Sequence, residues 1–359
     1  MDKLLARVRD AVAWLGGRTG RRAYRSFRVR IAVQSGFALA CVLIGIQFVR
    51  FYRAAAAGTL PLPTRPPGVE GFLPISGLMG LVDWSREGRL NTIHPAATAL
   101  LLVALALALL LRRSFCSWVC PVGLLSDLLT RLERQAFGRS FRPWRWLDIP
   151  LRGLKYALLV FFLWAILTMS EPALEAFIHS PYNQIADVKM GLYFVHLSET
   201  AGIVLALLVL GSVFIRGFWC RYLCPYGALL GLFSRYSPVR VTRDARACVD
   251  CSLCDRACMA RLPVSSLDSV RSVECTGCFD CVAACPIEGV LTVRVGHRRL
   301  RSVAYGVAVI FLFLAGYAAA RLSGSWRSSI DDSTYVHFIN NVDAGTYGHP
   351  GEGKREYVR

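Results

Sequence analysis

Five apolar runs alternate with arginine-rich stretches along the chain: Ile31 to Val49, Pro95 to Leu111, Leu154 to Ser170, Thr200 to Ile215 and Val303 to Ala320. All but the third are free of charge, and the third holds only Lys155, close enough to its end to snorkel toward water. A membrane-crossing helix needs about 20 residues, or about 17 at the short end, so the third and fourth runs span only if their flanks join in. Buried core helices are the alternative for those two, and it is the weaker one because both sit between strongly polar, unequal loops. The pattern therefore predicts an α-helical integral membrane protein of about five transmembrane helices.

Charge turns these runs into a topology. The chain is 54% hydrophobic yet carries a formal charge of +18, a conflict for a soluble protein that spans separated by basic loops resolve. Nine Lys/Arg precede Ile31, among them Arg18, Arg21, Arg22, Arg25, Arg28 and Arg30, whereas Glu171 to Glu199 carries Lys189 alone. The positive-inside rule then puts the N-terminus and the loop from Arg112 to Arg152 in the cytoplasm and, with five spans, the tail after Ala320 outside. No cleavable signal is expected, because the first apolar run starts late and lacks a small-residue cleavage pattern. Met1 to Trp14 reads as a solvated lead-in, with an amphipathic surface helix as the alternative. Nucleic-acid binding explains the basic charge less well, since no groove-reading or base-stacking motif accompanies it.

The candidate chemistry is cysteine chemistry. Cys248, Cys251, Cys254 and Cys258 are followed by Cys275, Cys278, Cys281 and Cys285, each run spaced C-x2-C-x2-C-x3-C. This is the ligand pattern of a two-cluster bacterial ferredoxin, in which three cysteines of one run and the fourth of the other hold each 4Fe-4S cluster. The matching sets are Cys248, Cys251, Cys254 and Cys285 for one cluster, and Cys275, Cys278, Cys281 and Cys258 for the other. Zinc and disulfides are the alternatives; zinc sites use paired C-x2-C elements, and disulfides belong on an oxidising side of a membrane. Pro286 follows the second run as in ferredoxins, while Met259 replaces the proline after the first, which leaves the loop geometry there open.

A second pattern is an internal repeat. Arg112-Arg-Ser-Phe-Cys116-Ser-Trp-Val-Cys120-Pro121-Val-Gly123 recurs as Arg216-Gly-Phe-Trp-Cys220-Arg-Tyr-Leu-Cys224-Pro225-Tyr-Gly227, each copy following an even-numbered span. Cysteines at i and i+4 lie on one helix face, and the proline suits a helix break or a fresh start. Each pair offers a redox dithiol or half of a metal site, against the plainer reading of small cysteines packed at a helix end. Duplication favours the functional reading, and Cys116, Cys120, Cys220 and Cys224 are the candidate catalytic residues. Cys41, alone in the first run, reads as a core residue.

Paired C-x3-C-P units on membrane spans followed by a two-cluster ferredoxin segment resemble the membrane polyferredoxins of the NapH type and the C-terminal half of NosR-type proteins. The resemblance covers roughly Phe37 to Ala320. It implies electron transfer between a membrane quinol pool and a respiratory reductase or its maturation partner; the positive-inside rule puts both ferredoxin runs on the cytoplasmic side of an inner membrane. A related branch with the same cysteine layout reduces copper during assembly of a metalloenzyme, and the absence of a Met-rich or His-rich tract speaks weakly against it. A redox-sensing scaffold is the third alternative. The large flavin domain of the NosR type is absent, so no flavin is expected.

No C-x-x-C-H, G-x-G-x-x-G or P-loop occurs, so c-type haem, nicotinamide and ATP lack a site. His94, His179 and His196, with Glu171 and Glu199, lie toward the outer ends of the runs and read as solvated interfacial groups before they read as proton acceptors for quinol. His337 and His349 read as solvent-facing. The expected organisation is a basic cytoplasmic segment 1–30, a membrane domain 31–238 with four spans and both C-x3-C-P units, an α+β two-cluster insert 239–295, a fifth span 303–320, and an extracytoplasmic tail 323–359 that folds only against a partner.

Overall fold

The computed structural model describes residues 18–137, 144–195 and 197–341; Met1 to Trp14, His196 and His349 lie outside them. Long helices dominate, with one small sheet. Among the described residues three helices are long and apolar enough to cross a membrane: the Arg28–Ala56 part of α1 (Arg18–Ala56), Trp146–Leu167 within α5 (Arg145–Leu167), and α12 (Ser302–Leu322). The chain is a membrane protein on this evidence, and its exposed apolar residues suit that solvent. Val42, Leu43 and Ile46 on α1, Val160, Phe161 and Trp164 on α5, and Val307, Phe311 and Leu314 on α12 all face outward, where lipid, not water, makes exposure favourable.

Expectation and structure part over the second and fourth spans. The helix over the second, α3 (Pro95–Leu111), has 17 residues, and α8 (Glu199–Phe214) has 16. Both stop where the backbone turns left-handed soon afterwards, at Arg112 (φ 58°) and Gly217 (φ 66°). Only when α8 is joined to α7 (Ala186–Val195), across a 77° bend, does a fourth segment reach spanning length.

The described chain falls into two compact units. The first takes the chain up to Ala38, then Ala104–Tyr156 and Leu210–Phe313; the second takes Leu39–Val103, Ala157–Val209 and the chain from Leu314.

The first unit holds every cysteine except Cys41, which is half-buried on α1. Its sheet has the order β2-β1-β3-β4, all antiparallel, from β1 (Val239–Arg243), β2 (Ser269–Val270), β3 (Leu291–Val295) and β4 (Arg298–Arg299). Val241 pairs with Val270 on one side and Val293 on the other, and all three are buried, so alternate positions put one apolar face inward. A one-turn helix lies within each cysteine run and carries its third cysteine: α10 (Leu253–Ala257) and α11 (Asp280–Ala283).

The second unit packs α1 through Phe48, Phe51 and Ala55 against Val69, Ile185 and Val188. The tail departs from expectation here. Asp331 caps α13 (Asp332–Asn340), accepting from the Ser333 amide at 3.1 Å, and Tyr335 lies edge-on to Phe51 with ring centres 5.2 Å apart. Tyr335 and Ile339 are buried in the core, so this stretch packs against its own chain. The stretch from Arg53 to Asn91 holds its own helix, α2 (Pro74–Glu87), closed by left-handed Gly88.

His94, expected to be solvated, is fully buried instead and donates from Nε2 to the Asn183 carbonyl at 2.6 Å. Beside it the Arg65 guanidinium bridges Glu70 and Asp187, both at 2.7 Å and both without solvent exposure. A buried guanidinium needs such partners, because an unpaired charge there would cost several kcal/mol. His179 and His337 are exposed, as expected.

Candidate iron–sulfur site

Backbone geometry prepares both ligand loops in the same way. Asp250 and Gly277, each two residues after the first cysteine of its run, have φ of 50° and 68°; Ser252 and Phe279, two residues further on, have 55° and 62°. Left-handed residues interleaved with ordinary ones curl the chain and turn successive amide N–H groups into a concavity suited to an anionic cluster. Non-glycine residues adopt that conformation at a cost, which the surrounding packing holds in place. Met259 changes little: Cys258 sits at φ −64° and ψ 120°, the extended conformation a following proline would impose.

Two cavities lie against these loops. One is lined by Cys248, Cys251, Cys254 and Cys285, the other by Cys258, Cys275, Cys278 and Cys281. The fourth cysteine of each run thus lines the cavity of the other run. Phe279, Val241, Val264 and Val270 close the second cavity, and its thiols sit in apolar surroundings. Burial, with the Asp255 carboxylate adding to it, pushes the Cys254 thiol up to about 11, and burial pushes Cys258 up to about 11 as well. Cys278 and Cys281 are driven well above the ordinary thiol value by the same loss of water. Cluster ligands are thiolates, so loading such loops with iron releases protons. The donor set and its grouping fit an iron–sulfur cluster in each cavity.

The repeat is built alike in its two copies, though not as expected. The first cysteine of each pair, Cys116 or Cys220, sits on a π-helical turn, Phe115–Val119 in the first copy and Trp219–Leu223 in the second, and the other cysteine caps the turn's C-terminal end. Cys120 N–H closes the first turn on the Phe115 carbonyl at 2.8 Å, and Cys224 N–H closes the second on Trp219 at 3.0 Å. Such one-turn widenings of a helix recur at functional sites. Cys120 and Cys224 then extend ahead of Pro121 and Pro225, which open α4 (Pro121–Phe137) and α9 (Pro225–Ser234) as first helical residues. Gly123 is required in the first copy, since a Cβ there would fall 2.0 Å from the Cys116 carbonyl oxygen.

These two turns grip the ferredoxin loops. From the first copy, Arg112 donates to the carbonyls of Val239 (3.4 Å), Val270 (3.1 Å) and Ser272 (2.7 Å), and Arg113 to that of Val273 (3.2 Å). Ser117 Oγ donates to the Thr276 carbonyl at 2.6 Å and Trp118 Nε1 to that of Gly277 at 3.1 Å, both inside the second ligand loop. The second copy holds the end of the first loop: Arg216 reaches the carbonyls of Arg256 (2.9 Å) and Cys258 (3.4 Å), and Arg221 that of Ala260 (2.9 Å).

Each copy also shares a carboxylate. Asp148 accepts from Arg221 at 3.0 and 2.9 Å, from Tyr222 at 2.5 Å and from Arg152. Glu274, next to Cys275, accepts from Lys155 at 2.6 Å and Tyr156 at 3.0 Å, with Arg113 at 3.5 Å. Burial pushes the Glu274 carboxyl up, but Arg113 and Lys155 outweigh it and hold it below the usual glutamate value. Lys155 therefore does not snorkel; it is fully buried on its counter-ion. The repeat itself contains Arg112, Arg113, Trp118 and Arg216 but not their partners, and nothing in it points to Asp148 or Glu274. The one available signal was that Arg112 and Arg216, like Trp118 and Tyr222, occupy equivalent positions.

A family described as a 4Fe-4S binding domain matches residues 93–140 and 200–243, one match for each C-x3-C-P unit. A 4Fe-4S dicluster domain matches 240–286. The chain is similar to the putative electron transport protein YccM of Escherichia coli, 42% identical over 308 residues that cover 83% of this chain and 86% of that protein. The chain belongs to the NapH-like membrane polyferredoxins. The ferredoxin-type protein NapH of E. coli is 29% identical over 55% of this polyferredoxin and 67% of its own length. The methylamine utilization ferredoxin-type protein MauN of Paracoccus denitrificans is 35% identical over 46% and 54%. No solved structure matches the chain. The polyferredoxin is thus an iron–sulfur electron-transfer protein of the membrane.

Proposed function

We propose that this polyferredoxin relays electrons, one at a time, between the quinol pool and a respiratory reductase or its maturation partner, through two 4Fe-4S clusters on the cytoplasmic side of the inner membrane. Cys248, Cys251, Cys254 and Cys285 hold one cluster, and Cys275, Cys278, Cys281 and Cys258 the other. The observation that carries the reading is the crossover grouping of eight cysteines into two four-thiol cavities, the arrangement that sets two clusters side by side. Bound clusters supply reversible one-electron storage. The chain's own residues orient the ligand loops through Arg112, Ser117, Trp118 and Arg216 and keep water from the second cavity with Phe279 and the valines around it. The quinol donor, the five-span topology and the cytoplasmic placement rest on the arginine bias and on the kinship with ferredoxin-type membrane proteins.

The test is anaerobic reduction. The full chain, purified in detergent, is mixed with a reduced quinone analogue and followed by electron paramagnetic resonance. The account expects the signal of reduced clusters to appear. Clusters that stay oxidised with quinol, yet lose their electrons to Cu(II) once reduced by dithionite, would replace the relay by a metal reductase.

A further inference from the structure

We infer that the outer face of the small sheet binds anionic phospholipid headgroups through a row of four arginines, Arg271, Arg240, Arg294 and Arg299. This face lies opposite the valines Val241 and Val270 that line the second cysteine cavity, and its role is independent of the electron relay.

The row follows from strand register. Arg240 on β1 pairs with Arg294 on β3, and Arg294 pairs with Arg299 on β4. β1 meets β2 through Val241 and Val270, so Arg271, one residue further on, comes opposite Arg240. Residues directly opposite share a face, and neighbouring strands lie about 4.8 Å apart, so the four side chains stand side by side over about 14 Å. Like charges in that arrangement destabilise a sheet. Loss of water, with Arg271, Arg112 and Arg235 adding to it, pushes the Arg240 guanidinium below its usual value.

The chain supplies no counter-charge for the row. Among the described residues none of the four forms an ion pair, whereas Arg243, on β1 but on the other face, has Asp250 at 3.8 Å and Asp268 at 3.6 Å. Arg294 Nε donates to Thr292 Oγ1 at 3.2 Å, a bond within its own strand. Charges on edge strands guard a sheet against pairing with another chain, which would account for Arg271 and Arg299 beside β2 and on β4. It does not account for Arg240 and Arg294, which sit on the two central strands. An anion from outside the chain is the missing partner.

Position selects the anion. Arg299 stands three residues before Ser302, where α12 begins, and Leu300 N–H ties that stretch to the Val293 carbonyl at 2.9 Å. Three residues reach at most about 10 Å, and a headgroup layer is about 5–7 Å deep, so the row starts at the headgroups from which α12 enters the hydrocarbon. A cavity at the same corner is lined by Arg299 and Arg301 with apolar Leu300, Val303 and Ala304, and Glu288 is the one acidic residue in its lining. Two guanidinium groups beside an apolar flank suit an amphiphile: phosphate oxygens accept from the arginines, and an acyl chain follows Val303 and Ala304 along α12. An acidic protein would have to enter the headgroup layer to reach Arg299.

The experiment places the full chain, purified anaerobically, in nanodiscs of phosphatidylcholine alone or with an equal share of phosphatidylglycerol, and follows thermal loss of cluster absorbance. Native mass spectrometry of the detergent-solubilised chain, titrated with phosphatidylglycerol, counts the lipid retained. Phosphatidylglycerol should raise the unfolding midpoint of the wild type. Retention should weaken about fivefold for each arginine removed, or about 25-fold in Arg240→Gln/Arg294→Gln. In phosphatidylcholine alone that double variant should be at least as stable as the wild type, because opposed charges are gone, an outcome that a structural role for the row would not give. Equal retention by wild type and double variant, or a variant destabilised equally in both lipids, overturns the inference. So does an equal loss of retention in Arg50→Gln/Arg53→Gln, whose exposed arginines lie toward the far end of α1, since net charge alone would then attract the lipid. Stabilisation of the wild type by polyglutamate and not by phosphatidylglycerol overturns it too, and gives the face to an acidic protein.

Discussion

The first and second C-x3-C-P units share one local structure and differ in what they hold. Both wind a π turn, extend at the second cysteine and restart as a helix at proline. The first reaches the strand and loop around the second cysteine run with Arg112, Arg113, Ser117 and Trp118; the second reaches only the end of the first run, with Arg216 and Arg221, and ties itself to α5 through Asp148. At equivalent positions, Ser117 and Arg221 both donate to a carbonyl of the insert, while Trp118 does so and Tyr222 turns to Asp148. Duplication thus supplies the turn, and divergence of the residues around it decides which ferredoxin loop each copy positions.

The largest difference between copies should follow removal of the equivalent arginines. Arg112→Ala orphans three carbonyls and leaves a left-handed backbone residue without its anchor, which should cost about 4 kcal/mol. Arg216→Ala orphans two carbonyls and should cost about half of that, ~2 kcal/mol. Denaturant unfolding followed by cluster absorbance measures both, and equal losses would erase the asymmetry.

Next come the shared carboxylates. Glu274→Gln removes the counter-charge of fully buried Lys155 and should cost about 3 kcal/mol, whereas Asp148→Asn keeps a carbonyl acceptor for Arg221 and leaves Arg152 partly in water, and should cost ~2 kcal/mol. Thermal loss of the cluster signal ranks the pair, and the reverse order would contradict the burial argument.

Gly123→Ala should follow at about 2 kcal/mol, because its Cβ meets the Cys116 backbone. Gly227→Ala meets the Arg113 guanidinium, 2.9 Å away and able to shift, so a cost below ~1 kcal/mol is expected. The same unfolding curves distinguish the two, and a costly Gly227→Ala would mean that Arg113 is held rigidly. The smallest effect is Ser117→Ala, with loss of one hydrogen bond to Thr276 and about 1 kcal/mol. Amide exchange in the second ligand loop should quicken while the first loop stays unchanged; quickening in both would break the assignment of copies to loops.

Much of this was legible in the sequence because cysteine spacing is local chemistry. Eight thiols in two spaced runs predict the ligand loops and the grouping into two cavities before any contact is known. The repeat was legible as a repeat, but its π turn was not, since i and i+4 cysteines fit an α-helix equally well. Lys155 and His94 were misread for one reason: position in an apolar run says how far a charge lies from water along the chain, and nothing of Glu274, 119 residues away, or of Asn183, 89 residues away. The second and fourth helices fall on the expected apolar runs, at Pro95–Leu111 and Glu199–Phe214, but the left-handed turns at Arg112 and Gly217 beyond them were not legible in the hydropathy.

The crossover of ligands between runs is the central claim, and one substitution tests it most directly. In anaerobically purified Cys285→Ala, Mössbauer and paramagnetic resonance spectra should lose or alter the cluster that also depends on Cys248, Cys251 and Cys254, while the Cys275, Cys278, Cys281 and Cys258 cluster keeps its wild-type signature. Damage confined to the Cys275, Cys278 and Cys281 cluster, with the other intact, would contradict the account.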